Sequence, residues 1–139
     1  MEAVAKLKNC PMSARKMRLL VDNIRRKNVN EALNVCRFSN REAAEWVEKL
    51  LISAISNWEY KSEGLNAEDY DLYIKTALVD EAGMLKRIRP AAHGRAHRVR
   101  KRSCHVTLVI ENRLPVPYEE ADAEDDVLEA EEMETQNDE

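Results

Sequence analysis

The sequence predicts an α+β fold: a small three-stranded antiparallel sheet packed with three helices, plus a long protruding basic β-hairpin arm. Three observations carry this prediction. Apolar residues alternate in three strand-like stretches, and they recur at helical spacing in the segments between the first two. The last two alternating stretches flank a run of cations with a glycine near its middle.

Glu2 to Lys8 places Ala3, Ala5 and Leu7 opposite Lys6 and Lys8, which reads as a short edge strand. Pro11 and Ser13 open a helix with Ser13 as its N-cap. Met17, Leu20, Val21 and Ile24 then fall at the i, i+3, i+4, i+7 positions of one buried stripe, with Arg15, Arg18, Arg25 and Arg26 on the opposite face. Asn30 is expected to cap a second, short helix through Leu33 to Phe38. Ser39 and Glu42 have the spacing of a capping box for the third helix. That helix carries Val47, Leu50, Leu51, Ala54, Ile55 and Trp58 inward, pairs Glu45 with Lys49 outward, and frays near Lys61.

A polar loop from Ser62 to Tyr70 leads to a strand in which Leu72, Ile74, Thr76 and Leu78 alternate with Asp71, Tyr73 and Lys75. Its partner has Cys104, Val106, Leu108 and Ile110 on one face and His105, Thr107 and Val109 on the other. Between them, Met84 to Ser103 holds eight Lys or Arg and no acid. Gly94 suits the reversal, because it alone accepts positive φ freely. Eight residues per leg at about 3.3 Å would carry the arm roughly 26 Å beyond the sheet.

The 139 residues are read as one domain: a body over 1–115, including the arm at about 84–103, and an acidic tail over 116–139 expected to be disordered or transiently helical. The formal net charge of −4 conceals a segregation. All 22 Lys and Arg lie at or before Arg113, and 12 of the 26 acids lie from Glu119 onward, so residues 1–118 hold 22 bases against 14 acids, a net +8. No apolar run reaches membrane-spanning length and no leader pattern opens the chain, so no membrane role is expected. Cys10, Cys36 and Cys104 suggest neither a disulfide framework nor a cysteine zinc site, and a reducing cytoplasm fits them best.

Catalytic chemistry finds little to stand on. Cys104 and His105 are neighbours, but adjacent strand residues point to opposite faces and cannot form a nucleophile–base pair. His93 and His97 have a spacing that serves zinc on a helix, yet they straddle Gly94 in a cationic arm with no acid or cysteine to complete a shell. The three glycines are scattered at 64, 83 and 94, so no phosphate-cradling loop exists. No cofactor, metal, small-molecule substrate or enzymatic activity is expected.

The arm is the informative feature. Eight like charges on an extended hairpin repel one another and cannot be buried, whereas a polyanion gains by neutralising them and releasing counterions. Arginine outnumbers lysine there, as suits bidentate phosphate contacts. The candidate RNA-binding residues on the arm are Lys86, Arg87, Arg89, His93, Arg95, His97, Arg98, Arg100, Lys101 and Arg102, with His105 below its root. Arg15, Lys16, Arg18, Arg25, Arg26 and Lys27 give the body a second cationic face. The aromatics are not interleaved with these residues, so contact with the shape of folded RNA is favoured over single-strand stacking.

Several stretches then carry a resemblance. Ser13-Ala-Arg-Lys-Met-Arg-Leu19, Ile24-Arg-Arg-Lys27, Ser53-Ala54 with Asn57, Leu85-Lys-Arg-Ile-Arg-Pro90, Gly94-Arg-Ala96 and Lys101-Arg-Ser103 followed by His105 together resemble the bacterial-type L-twenty-two family of large-subunit ribosomal proteins. The resemblance covers residues 3 to about 113 and leaves out the acidic tail. It implies a structural constituent of the large ribosomal subunit that binds large-subunit rRNA and takes part in early assembly. It further implies that the hairpin lines the nascent-peptide exit tunnel, with the nascent peptide and neighbouring large-subunit proteins as partners. This chain departs from the family's usual pattern at Arg26, where glycine is common, at Ala91, where arginine is usual, and at Cys104. The alternatives are a free-standing RNA-chaperone or nucleoid-type protein, which could use the same arm, and a small nuclease, which would need a positioned partner for His93 or His105.

Overall fold

The computed structural model describes residues 1–62 and 64–116; apart from Val116, the acidic tail and its expected disorder lie outside the described residues. The elements are β1 (Glu2–Cys10), α1 (Ala14–Ile24), α2 (Val29–Arg37), α3 (Glu42–Lys61), β2 (Tyr73–Pro90) and β3 (Ala96–Glu111), with a short 3-10 turn at Ala67–Tyr70. The sheet is antiparallel with β3 in the middle, in the order β1-β3-β2. The expected fold class is therefore present.

The helices cover one face of the sheet, α3 over β1 and β3 and α1 along β2. The α1 stripe of Met17, Leu20, Val21 and Ile24 is buried, as its spacing requires, and so are Cys104, Val106, Leu108 and Ile110 of β3. From α3, Val47, Leu51, Ala54 and Trp58 close the core, and Trp58 packs on Tyr70 with ring centroids 5.5 Å apart. Val116 is fully buried, so the packed body extends to the end of the described chain.

Three local expectations need correction. The strand alternation predicted Thr76 and Leu78 as inward residues of β2. A bulge between Ile74 and Thr76 inserts Lys75 into the ladder, so Ala77 and Val79 turn inward and Leu78 stands 51% exposed. The second helix begins one residue after Asn28, not at Asn30: the Asn28 side chain accepts from the Asn30 backbone N–H at 3.2 Å. The capping box is not formed. Arg41 is the N-cap of α3 with no side-chain cap bond, while the Ser39 N–H donates to the Cys36 carbonyl at the end of α2. Ser39 belongs to the helix before it. Ser13 does occupy the N-cap of α1, although its hydroxyl makes no cap bond.

The connection after α1 runs along the outer side of β2. Arg26 N–H donates to Ile74 O, Ile74 N–H to Lys27 O, and Val29 N–H to Leu72 O. On the other side of the sheet, Asn57 of α3 donates to Val4 O at 3.0 Å and Lys61 to Glu2 O at 2.9 Å. Arg26 makes its bond from φ +63°, a left-handed conformation that costs an L-residue about 1–2 kcal/mol. Glycine removes that strain but gains about 0.5–1 kcal/mol of unfolded-chain freedom. Arg26→Gly should therefore raise the thermal midpoint by a few degrees, at about 3–5 °C per kcal/mol for a chain of 139 residues. A fall in midpoint would show that the Arg26 side chain, not its backbone, matters to the fold.

At the end of the sheet away from the arm, Lys75 bridges Glu2 and Glu111, and Tyr73 donates its hydroxyl to Glu111. The Tyr73 hydroxyl, and after it Lys75, hold the Glu111 carboxyl below its ordinary value of 4.5. A carboxyl depressed in the folded state contributes stability that is present above the unfolded value and lost as pH falls through the folded one. Midpoints measured from pH 6 down to pH 3 should therefore fall further for the native chain than for Glu111→Gln. Parallel curves would remove Glu111 from the acid response.

A candidate nucleic-acid interface on the arm and the first helix

Beyond Cys10, which pairs with Cys104, β1 ends and only β2 and β3 continue, in register from Leu85↔Lys101 to Pro90↔Ala96. A bulge between Ala82 and Leu85 marks the root of this two-stranded arm. At the tip, Ala91 N–H donates to Arg95 O at 2.8 Å, and the chain reverses through His93 (φ +58°) and Gly94 (φ +66°). Gly94 was expected there; the left-handed His93 was not. Two consecutive left-handed residues turn the strand in place.

Residues opposite one another in a ladder share a face, and successive residues alternate. One face of the arm thus carries Lys86, Arg98, Arg100 and Arg102 around Ile88, and the other carries Arg87, Arg89, His97 and Lys101 around Leu85 and Val99. Both faces are cationic and every one of these side chains is exposed. Lys86 stands directly opposite Arg100, a like-charge pair that weakens the free hairpin. Among the described residues, none of the eight arm cations has an acidic partner. The ion pairs seen between described residues include Arg25–Asp22, Arg37–Glu48, Lys49–Glu45, Lys75 with Glu2 and Glu111, and Arg113–Asp71, all on the body.

Where the arm leaves the sheet, a groove of about 640 Å³ opens between its root and the start of α1, lined by Ser13, Lys16, Glu42, Arg100, Lys101 and Arg102 among others. The structure thus brings one end of the helical basic face to the arm. Arg41, which sequence reasoning passed over, joins Lys16 in an adjoining groove of about 280 Å³. Nothing but its charge marked it, because a capping box at Ser39 would have placed it inside the helix.

Other candidates are committed to the protein itself. Arg18 donates through Nε and Nη2 to Val79 O at 3.2 and 3.0 Å, and Arg25 through Nη2 to Ala77 O at 3.1 Å. These guanidiniums pin α1 to β2, and only their remaining donors face outward. Arg25, Arg26 and Lys27 lie at the far end of α1 from the arm. His105 Nδ1 accepts the Asn9 N–H at 3.0 Å, so that atom holds β1 at its left-handed Asn9.

Catalytic arrangements do not assemble. Cys104 is fully buried while His105 lies on the opposite face, as strand geometry required. Burial, and then neighbouring Cys104, push the Cys10 thiol up to about 11; burial does the same to Cys36, followed by Glu48. Such thiols stay protonated near neutrality and make poor nucleophiles. Among the described residues no group of three or more His, Cys, Asp or Glu could hold a metal, and no helix is long and apolar enough to cross a membrane.

Fold and surface together define a class: a small α+β body carrying a long hairpin with cations on both faces. The comparisons with known proteins make it particular. The model of the family described as ribosomal protein L22p/L17e matches residues 5–111. The chain is 56% identical over 108 residues to the large ribosomal subunit protein uL22 of Christiangramia forsetii, covering 78% of this chain and 80% of that relative. To the protein of the same name from Flavobacterium johnsoniae it is also 56% identical over 108 residues, covering 78% and 79%. For that of Porphyromonas gingivalis the identity is 54% over 107 residues, covering 77% and 79%. The chain belongs to the ribosomal protein L22p/L17e family, which is not a family of enzymes.

Proposed function

We propose that the chain is a structural constituent of the large ribosomal subunit in the cytoplasm, and that it binds large-subunit rRNA through the arm and its root. The observation that supports this most directly is the arm's pair of cationic faces, unpaired among the described residues. Cations on one face only would suit a surface laid against RNA; cations on both suit a strand pair inserted between RNA segments. In this reading the body's cations and the arm's root make the first contacts during assembly. The tip reaches the peptide exit tunnel, and the exposed body meets neighbouring ribosomal proteins.

The arm also supplies the test. A two-stranded hairpin is marginally stable in water, and this one adds a like-charge pair and no core. In the isolated protein trypsin should cut first between Lys86 and Arg102, while the helices resist. In purified large subunits the same bonds should be protected, and the protein should stay with the subunit through a high-salt sedimentation. Removing the tip from Ala91 to Ala96 should leave initial rRNA binding within a few-fold of the intact chain while altering responses that depend on the tunnel wall. Loss of initial binding on tip removal would overturn the division of labour between root and tip. Release into the supernatant at high salt would favour a free-standing RNA chaperone.

A further inference from the structure

The sequence from Glu119 to Glu139 holds 12 acids and no base, and nothing in the family match, which ends at residue 111, accounts for it. The structure supplies the complementary surface. Eight arm cations have no acidic partner among the described residues, and Lys16 adds another in the groove at the arm's root. Glu2, Glu111 and Asp71 are engaged away from the arm, by Lys75 and Arg113, and Glu42 is the one acid among the described residues lining the groove. We infer that the arm and the groove at its root hold the chain's own acidic C-terminal stretch until RNA displaces it.

Reach permits this. The described chain ends at Val116, just past the end of β3 that lies away from the arm's tip. The 16 residues of β3 at about 3.3 Å each run roughly 50 Å from there to the tip. Residues 117–139, fully extended, span at most about 80 Å, so every arm cation lies within the stretch's radius. Tethering supplies the affinity that single exposed ion pairs lack. Each such pair contributes little, but carboxylates on the same chain meet the arm at an effective concentration on the order of millimolar. They carry no shape complementary to the arm, so folded rRNA that matches it can displace them. Unrelated RNA, which offers only charge, meets a tethered competitor at higher effective concentration and loses. The stretch thereby works as a selectivity filter on the arm.

The inference rests on the proposed RNA-binding role. It is tested on the full-length chain with its twelve C-terminal acids converted to amides (Glu119→Gln, Asp122→Asn and the others likewise), which preserves length. At 50 mM salt the amidated chain should bind a polyuridine oligonucleotide at least 10-fold tighter than the native chain. It should also show the steeper salt dependence, because its arm is not already neutralised. Carbodiimide treatment of the native chain should join carboxylates of 119–139 to Lys16, Lys86 or Lys101 within one molecule; added large-subunit rRNA should suppress these links and an equal amount of polyuridine should leave them. Equal affinity of the two chains would reduce the stretch to a solubilising appendage and overturn the inference. Links confined to Lys61 and Lys75, or formed between two copies, would overturn it as well. Failure of the underlying functional reading looks different: neither chain would then bind large-subunit rRNA.

Discussion

Raising salt from 50 to 500 mM should weaken binding of the protein to large-subunit rRNA by about four to seven orders of magnitude. The arm and its root offer nine cations, the eight of the arm with Lys16, without an acidic partner among the described residues and on exposed side chains. If roughly six to eight of them neutralise phosphates, log K falls with log salt at a slope of about −4 to −7, at ~0.7–0.9 per phosphate. Competition from the acidic stretch would put the native chain at the shallow end of that range. Replacing Arg87, Arg89, Arg98 and Arg100 by glutamine removes two contacts from each face and should flatten the slope by about 3. Arg18→Gln should behave otherwise, because its guanidinium is bonded to Val79 O. That change should lower stability more than it alters the slope. A salt dependence near zero would sink the phosphate account of the arm.

Trp58→Ala should destabilise the body by about 3–5 kcal/mol, the range for deleting a large buried aromatic. Trp58 is the largest fully buried side chain and packs on Tyr70 beside the sheet. A domain of this size has about 5–15 kcal/mol in total, so the variant would keep little reserve. Urea unfolding followed by circular dichroism measures it. A loss under about 1 kcal/mol would mean that neighbouring side chains collapse into the space and that the core is less tightly packed than its burial indicates.

What the sequence makes legible is what repeats. The α1 stripe and the β3 alternation extend over several turns or pairs, and every inward residue predicted there is buried. The cationic arm was legible because eight bases without an acid need no geometry to be noticed. Single-residue events were not. The bulge at Lys75 breaks the two-residue period in mid-strand, and no periodic argument can see an inserted residue. The exchange of Asn30 for Asn28 as cap turned on which of two asparagines met one backbone N–H. At the interface, the commitments of Arg18 and Arg25 are to carbonyls 61 and 52 residues away, and His105 is engaged by Asn9 across 96. Local pattern marked these residues as basic and outward, which they are. Only the fold shows that they also hold the body together.

The bonds along the two sides of the sheet have a consequence for the free protein at high concentration. An open strand edge is a template onto which another chain can add, and a protein awaiting incorporation into a larger particle is exposed to that hazard. Here the α1–α2 connection, with Arg18 and Arg25, occupies the carbonyls of Leu72, just before β2, and of Ile74, Ala77 and Val79 within it, and Asn57 and Lys61 occupy those of Val4 and Glu2 on β1. The body therefore offers little purchase for stacking into a cross-β polymer. Along the arm no helix among the described residues covers either edge, and there the positive charges do the same work by repulsion. Replacing the arm's cations by neutral side chains, which also removes what holds the acidic stretch over it, should let one arm zip onto the next, so the charges that seek a partner also keep the chains apart until they find it.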